Sequence, residues 1–230
     1  MRILGHAASR QATAGQTMAR PTTAGQAAAG RTASRQTAAS REHRGVPLLL
    51  PVTNLPGPLS MRHLSSRGIM RSLDAATVYH LDQVRTVAGR GMLASIMIPL
   101  GTSACMTLAA WIWMGGDLPQ TIDLLTDAHF RAPIHGRRVR AFNRNAPEGH
   151  RTTVSGRTVT TPTRTACDIA LLPDDEFEDI GGLPQVGRLI EDYDVPIEDC
   201  LRILDDNRYW PNTRTARRRL EGLRASASSS

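Results

Sequence analysis

The side chains of this chain that could carry out metal chemistry are three histidines, three cysteines and one acidic run. His129 and His135 are six residues apart and His150 follows fifteen residues later, so no pair has the spacing by which a helix or knuckle presents two zinc ligands. The acidic run at 174–179 lacks the Asp-x-Asp-x-Asp-Gly pattern of a calcium loop. Three widely spaced cysteines indicate neither a disulfide framework nor a zinc site: Cys105, Cys167 and Cys200. We expect no metal, no cofactor and a reduced, cytoplasmic setting.

Nucleophilic catalysis has no better support in the sequence. Gly101-Thr102-Ser103 is not the Gly-x-Ser-x-Gly elbow of hydrolases, and Ser103 has the place of a helix N-cap. The Gly-x-Gly at 89–91 follows a predicted helix, whereas a phosphate-binding glycine loop follows a strand. The chain also contains no lysine, the residue that a restriction-type nuclease centre usually places beside its carboxylates. We therefore predict that the protein is not an enzyme.

Arginine dominates the charge of the chain, because all 28 basic residues are arginines. Six of them lie in residues 1–41, which contain no acid, so most of the net charge of +7 belongs to this tail rather than to the folded part. Farther along, residues 131–164 hold eight arginines and one acid, and residues 168–206 hold thirteen acids and two arginines. Such segregation is typical either of solvated faces or of a surface that docks a partner.

Two groups of arginines are candidates for binding, because guanidinium groups contact phosphates and read guanine edges. Near the first ordered elements we predict DNA contacts by Arg62, Arg67 and Arg71. Around a predicted basic strand we predict contact with an acidic partner or nucleic acid by Arg137, Arg138, Arg140 and Arg164. Arg164 and Asp168 are four residues apart on a predicted helix, which also places them to pair with each other.

An α/β (α+β) fold must position these side chains, with a small mixed sheet flanked by helices and a helical C-terminal extension. Residues 1–60 are predicted to be a disordered low-complexity tail (1–45), whose composition also resembles a transit peptide, and a proline-rich connector (46–60). The α/β domain is predicted over 61–172, the helical extension over 173–224, and a disordered end over 225–230. No apolar run is long enough for a membrane span.

Hydrophobic spacing and capping residues give the order of elements in the predicted domain. Asp74 is a suitable N-cap for a helix, and the glycines at 89–91 and at 115–116 are suitable helix ends. The elements predicted before residue 150 are a strand pair or wing remnant at 62–70, a helix at 75–88, a buried strand at 92–100, a helix at 104–114 capped by Ser103, and strands at 121–126 and 138–142. Those predicted after Pro173 are helices at 184–192, 196–206 and 212–223.

The strongest local signals lie in residues 150–172. Two β-branched runs, 152–154 and 157–160, flank Ser155-Gly156, which predicts a hairpin with a tight turn. Thr161 then stands where an N-cap belongs, and Pro162 stands at the first helical position, where a missing N–H costs no hydrogen bond. The segment therefore predicts a hairpin that leads directly into a capped helix.

Three segments occur in an order that resembles actinobacterial members of the AbiEi antitoxin family, from abortive-infection type IV toxin–antitoxin systems. They are the helix Leu108-Ala-Ala-Trp-Ile-Trp-Met-Gly115, a strand followed by an arginine-rich strand (121–127 and 136–140), and the hairpin with its capped helix. The resemblance covers residues 61–223. Besides Arg164, the residues that carry it are structural ones: Trp111, Val159, Thr160, Pro162, Thr165 and Asp168.

The resemblance implies an N-terminal winged helix-turn-helix that binds operator DNA and represses its own operon. It also implies a C-terminal domain that neutralises a nucleotidyltransferase-like toxin, so that both activities are binding rather than catalysis. The chain departs from the family in two places: only Arg67-Gly68-Ile69 is recognisable from the winged helix, and we expect no Vsr-like nuclease domain after Arg224. An orphan or decayed remnant without DNA or toxin activity, and a truncated nuclease-family protein, remain as alternatives.

Overall fold

The computed structural model describes residues 47–227, which fall within one compact unit, Gly45–Ser230. The α/β class predicted from the sequence is confirmed, and the disorder predicted for residues 1–45 lies outside the described residues. The strands are β1 (Leu49–Pro51), β2 (Met70–Ser72), β3 (Thr77–His80), β4 (Ser103–Ala104), β5 (Thr121–Leu125), β6 (Arg138–Phe142), β7 (Arg151–Val154) and β8 (Arg157–Thr160). The helices are α1 (Pro58–Ser66), α2 (Val87–Met97), α3 (Met106–Met114), α4 (Pro162–Ala170), α5 (Asp174–Asp179), α6 (Gly182–Tyr193), α7 (Ile197–Asp206) and α8 (Thr213–Ala227).

A five-stranded mixed sheet with the order β6-β5-β4-β8-β7 forms the centre of the domain. β4 pairs antiparallel with β5 and parallel with β8, while β5 and β6 pair in parallel over five residues. β7 and β8 form the predicted hairpin, and the positive φ angles of Ser155 (49°) and Gly156 (79°) are those of the tight turn that suits its twist. The sequence prediction of this hairpin is confirmed.

Helix α4 begins as predicted, with Pro162 at its first position and the hydroxyl of Thr161 accepting a hydrogen bond from the Arg164 backbone N–H at 3.3 Å. The three helices predicted after Pro173 correspond to α6, α7 and α8, and the short α5 precedes them. α8 continues to Ala227, so the disorder predicted from residue 225 is wrong for residues 225–227. Arg219 of α8 donates to the carbonyls of Ala170 (2.8 Å) and Leu172 (2.7 Å), which fixes the last helix against the end of α4.

Two aliphatic clusters hold these layers together. In β5, Ile122 and Leu124 join the cluster formed with α2 and α3, whereas Leu125 joins the cluster formed with α4 and α6 to α8. This separation follows from the alternation of side chains along a strand. Asp123 alternates with the two apolar residues and is completely buried, so its carboxylate needs partners inside the domain.

The front of the domain, residues 47–105, differs from the sequence prediction. The predicted helix at 75–88 is β3 followed by a 3-10 turn (Leu81–Val84), and the predicted strand at 92–100 is largely α2. Val78 and Tyr79 form a strand because β1 and β2 pair on either side of them and bury both side chains, and no local signal reports those partners. Thr86, not Asp74, caps α2 by accepting from the Gly89 N–H at 3.0 Å.

Three further local predictions at the front are corrected. The glycines at 89–91 do not end a helix but lie within α2, where a Cβ on Gly89 would stand 1.6 Å from the Gln83 carbonyl oxygen. Ser103 belongs to β4, and the cap position of α3 is Cys105. The predicted strand pair at 62–70 and the predicted connector at 46–60 contain β1, a 3-10 turn and α1, because Pro58 suits the first position of a helix.

Candidate nucleic-acid interface

A small antiparallel sheet with the order β1-β3-β2 forms the front of the described domain. Helix α1 leads into it directly, since residues 67–69 alone separate α1 from β2. β2 and β3 form a hairpin whose register pairs Met70 with His80 and Ser72 with Val78. The element order is therefore strand, short turn, helix and two-stranded hairpin, with the first strand added beside the last one.

Helix α1 exposes a largely polar face to solvent. Met61 and Leu64 are half-buried, whereas positions 59, 62, 63 and 66, at the helical spacing i, i+3, i+4 and i+7, are exposed, as is Ser65. The face carries Arg62, His63 and Ser66 beside the exposed Leu59, with Arg67 exposed just after the helix. Residues 47–73 contain no acid, so nothing in this segment repels a phosphate.

Arg71 is a further exposed arginine, in β2. Its guanidinium pairs with the carboxylate of Asp117, and the hydrogen bond between them raises the pKa of Arg71. Both side chains are substantially exposed, at 46% and 85%. An exposed pair of this kind contributes only about 0–1 kcal/mol, so a phosphate can replace the carboxylate at little cost.

The hairpin is tied to the rest of the domain by two residues of the connection between β5 and β6. Arg137 donates to the Leu73 carbonyl and to the Pro119 carbonyl (3.1 Å). His135 Nδ1 lies 2.6 Å from Asp74 Oδ2, and this hydrogen bond lowers the pKa of Asp74. These contacts give His135 and Arg137 structural partners and fix the end of the hairpin.

The four arginines predicted to form a second binding face do not lie on one exposed surface. The guanidinium of Arg137 donates to the Leu73 and Pro119 carbonyls. The guanidinium of Arg140 pairs with Glu176 and, at 2.7 Å, with Asp123. Arg164 has no exposed side-chain surface; its Nε donates to Asp168 Oδ1 at 3.0 Å. Of the four, Arg138 alone is exposed without a hydrogen bond or ion pair to another described residue.

The pair formed by Arg164 and Asp168 confirms the internal pairing that the spacing suggested. Burial raises the pKa of Asp168, and the charge of Arg164 acts in the opposite direction. Arg164 also donates to the Asn145 carbonyl at 2.7 Å and lies 4.7 Å from the centre of the Trp210 ring. The pair is therefore part of the framework that joins α4 to the loop before β7 and to the C-terminal helices.

The residues that carry the family resemblance are likewise structural. Val159, Thr160 and Thr165 are completely buried, and the two threonine hydroxyls share a hydrogen bond of 2.8 Å. Trp111 is buried, and its indole Nε1 donates a hydrogen bond to the Gly116 carbonyl at 3.2 Å. None of these side chains is placed to contact a partner.

The residues considered for metal or nucleophilic chemistry lie apart from one another. Within residues 47–227 no group of three or more His, Cys, Asp or Glu side chains could hold a metal ion. Burial raises the pKa of all three thiols, that of Cys200 to about 12, so they are protonated at neutral pH. Burial, together with the charge of Arg164, lowers the pKa of His150 and keeps it neutral. None of the described helices is long and apolar enough to span a bilayer.

No protein-family model, curated protein or solved structure matches this chain. The three arginines predicted to contact DNA lie on consecutive parts of the chain: Arg62 in α1, Arg67 directly after it and Arg71 in β2. Sequence reasoning missed the helix itself, although Gly57-Pro58 is a signal for a helix start that could have found it.

Proposed function

We propose that this protein is an AbiEi-like antitoxin and transcriptional regulator that acts by binding. In this proposal α1 and the β2-β3 hairpin contact operator DNA, and the protein neutralises a nucleotidyltransferase-type toxin. The observation that carries the DNA part is the order of elements at the front, where a helix runs directly into a hairpin and the sheet order is β1-β3-β2. A recognition helix and the wing that follows it have this order in winged helix-turn-helix domains.

The dimensions and charges of the surface support this proposal. Nine residues make α1 about 13.5 Å long at 1.5 Å per residue, and the major groove, about 12 Å wide, admits such a helix. Arg62 on the outer face would then face base edges, while Arg67 after the helix and Arg71 on the hairpin would face phosphates. Only a 3-10 turn (Val52–Asn54) separates β1 from α1, where winged domains have a full helix. Fewer base-edge contacts follow, so we expect phosphate contacts to supply a larger share of the affinity than they do in a complete winged domain.

The DNA part can be tested by fluorescence anisotropy on a duplex from the region upstream of the gene, compared with a scrambled duplex. The arginine-rich residues 1–41 are expected to bind any DNA. The quantity to measure is therefore the ratio of the affinity for the upstream duplex to the affinity for the scrambled duplex, determined at about 50 mM and again at about 200 mM salt. Arg62→Ala should lower this ratio about 5- to 150-fold, which corresponds to about 1–3 kcal/mol, and Arg67→Ala or Arg71→Ala should lower the salt slope by about one. Arg214→Ala, an exposed arginine of α8, is the matched control.

An unchanged ratio in the Arg62→Ala variant would exclude α1 as the reading element. Equal affinity of the wild type for both duplexes would leave only the non-specific attraction of the tail and would remove the repressor role.

The antitoxin part rests on the motif resemblance and needs a separate test. Co-expression with a nucleotidyltransferase-type toxin encoded beside the gene should restore growth, and Arg62→Ala should restore it equally because that residue serves DNA binding. Growth arrest despite soluble protein would contradict neutralisation. Failure of both tests would favour the alternative of a remnant that has lost its DNA and toxin activities.

A further inference from the structure

A cleft of about 490 Å³ lies beside the edge strand β6, apart from the proposed DNA-binding surface. Its walls come from β6, the end of α4, α5 and the loop before α8, and the residues that matter here are Met106, Arg138, Arg140, Phe142, Arg144 and Asn212. The volume is within the range of roughly 300–1,000 Å³ that is typical of small-ligand sites. Neither the DNA contacts nor the motif residues use this cleft.

The arginines of the cleft follow from the alternation of a strand. Arg138, Arg140 and Phe142 occupy every second position of β6 and so share one face of the sheet. Arg144 continues the alternation, and the guanidinium carbons of Arg140 and Arg144 each lie 5.4 Å from the centre of the Phe142 ring. Three cations therefore line one wall, with an aromatic ring between two of them.

Arg144 is the unusual member of this set. Only 13% of its side chain is exposed, yet its guanidinium makes no hydrogen bond to any residue between 47 and 227. The nearest carboxylate oxygen, Asp168 Oδ1, is 3.7 Å from Nη1 and already accepts from Arg164. Arg164 Nη2 and Asp168 Oδ2 beside it also lack a hydrogen-bond partner among the described residues. A largely buried guanidinium with unused donors costs stability unless a further acceptor reaches it, and Arg144 lines the cleft from which one can enter.

The charges of the cleft select the kind of acceptor. Arg140 pairs with Asp123 and Glu176, and Asp168 is shared between Arg164 and, at 3.7 Å, Arg144. With Arg138, which is unpaired among the described residues, these four arginines exceed the three carboxylates by one positive charge. A phosphate monoester carries a negative charge and presents three acceptor oxygens, enough for donors of both Arg138 and Arg144, whereas a carboxylate presents two.

The backbone at the floor of the cleft is a further sign of a site. Met106 is buried and has φ of 45°, and Asn212 has φ of 63°, so two of the five non-glycine residues with positive φ among the described residues line this cleft. Asparagine tolerates this region, whereas methionine is strained there, and such strain concentrates at functional sites.

We infer that the cleft binds a small phosphate monoester with an apolar body, of the size of a nucleoside monophosphate. Its phosphate contacts Arg144 and Arg138, and its body lies against the apolar side chains of the floor. This site uses none of the arginines proposed to contact operator DNA: Arg62, Arg67 and Arg71.

The test is calorimetric titration and thermal unfolding of the full chain with AMP, GMP, CMP, UMP and glucose 6-phosphate, with adenosine and inorganic phosphate as partial ligands. At least one monoester is expected to bind with Kd below about 1 mM and at least about tenfold more tightly than adenosine or phosphate. Arg144→Met and Arg138→Gln should each weaken that binding about tenfold or more, because each removes a charge-assisted contact. Arg202→Gln, an exposed arginine outside the cleft, should not.

Stability separates a ligand-binding role of Arg144 from a structural one. Without ligand, Arg144→Met should unfold within a few degrees of the wild type, because the guanidinium makes no hydrogen bond among the described residues, its ion pair with Asp168 is long (3.7 Å), and methionine can keep apolar contact with the Phe142 and Trp210 rings. Absence of binding by every monoester below about 1 mM, or equal binding by the wild type and both cleft variants, would overturn the proposal. The exposed Arg138→Gln variant keeps the test valid should Arg144→Met fail to fold.

Discussion

Replacing Asp168 by alanine is expected to destabilise the domain strongly, because the change leaves a cation buried without its carboxylate. Arg164 has no exposed side-chain surface and Asp168 is 1% exposed, so water cannot replace the lost partner. The bond to the Asn145 carbonyl and the contact with the Trp210 ring remain, but neither supplies a negative charge.

The expected magnitude follows from the environment of the pair. Removing one partner of a buried pair costs about 3–5 kcal/mol, a large part of the total stability of about 5–15 kcal/mol of a typical domain. Burial raises the pKa of Asp168, so desolvation offsets part of the attraction within the pair. The double variant Arg164→Met/Asp168→Leu should therefore lie closer to the wild type than Asp168→Ala, within about 2 kcal/mol.

Equilibrium unfolding in urea measures these differences, with tryptophan fluorescence as the signal because Trp210 lies 4.7 Å from the Arg164 guanidinium. Asp199→Ala is the matched control, since it breaks an arginine–aspartate pair with 2.6 Å between N and O whose side chains are 70% and 37% exposed. The control should cost less than about 1 kcal/mol. A cost of less than about 1 kcal/mol for Asp168→Ala would refute the reasoning, as would a double variant less stable than the single one.

Other stability changes can be checked in the same urea titration. Thr161→Ala removes the side-chain cap of α4 and should cost about 1 kcal/mol, whereas Thr161→Asn should retain most of the stability. The pKa of His150 is lowered in the folded state, so the unfolded chain binds the His150 proton first as the pH falls. The free energy of unfolding of the wild type should therefore decrease as the pH falls below about 6.5. The same pH dependence in the His150→Gln variant would contradict this. Gly89→Ala places a Cβ 1.6 Å from a backbone oxygen and should cost at least about 1–3 kcal/mol. Its control Gly222→Ala, which meets nothing within 4 Å inside α8, should be neutral or stabilising by up to about 1 kcal/mol; equal effects of the two changes would rule out the steric explanation.

The parts of the fold that the sequence predicted are those whose cause is local. The turn at Ser155-Gly156, the cap at Thr161 and the proline at 162 each act through neighbours within a few residues, so composition and spacing were sufficient. The C-terminal helices were predicted for the same reason, since each has a continuous apolar stripe at helical spacing.

The front of the domain was mispredicted because its structure depends on distant partners. Val78, Leu81 and Val84 have helical spacing, but residues 77–80 pair with two strands, β1 and β2, and form the centre of a sheet. The same sheet gives α1 its position beside the hairpin, and this arrangement is what supports the proposed DNA contacts. β2 pairs with β3 at a separation of 6 to 10 residues, but β1 lies 26 to 30 residues before its partners in β3, beyond any window of local periodicity.

By itself, the sequence determined the α/β class, the capped helix with its hairpin, and the fact that arginine is the main functional candidate. Only the tertiary structure decided what each arginine does. Arg140 finds Asp123 and Glu176 at separations of 17 and 36 residues, and Arg137 finds the Leu73 carbonyl at 64. Arg144 has only a long ion pair of 3.7 Å with Asp168 and makes no hydrogen bond among the described residues. A guanidinium has the same charge in solvent, in a buried pair or in a cleft, so its role depends on which acceptors the fold brings within reach.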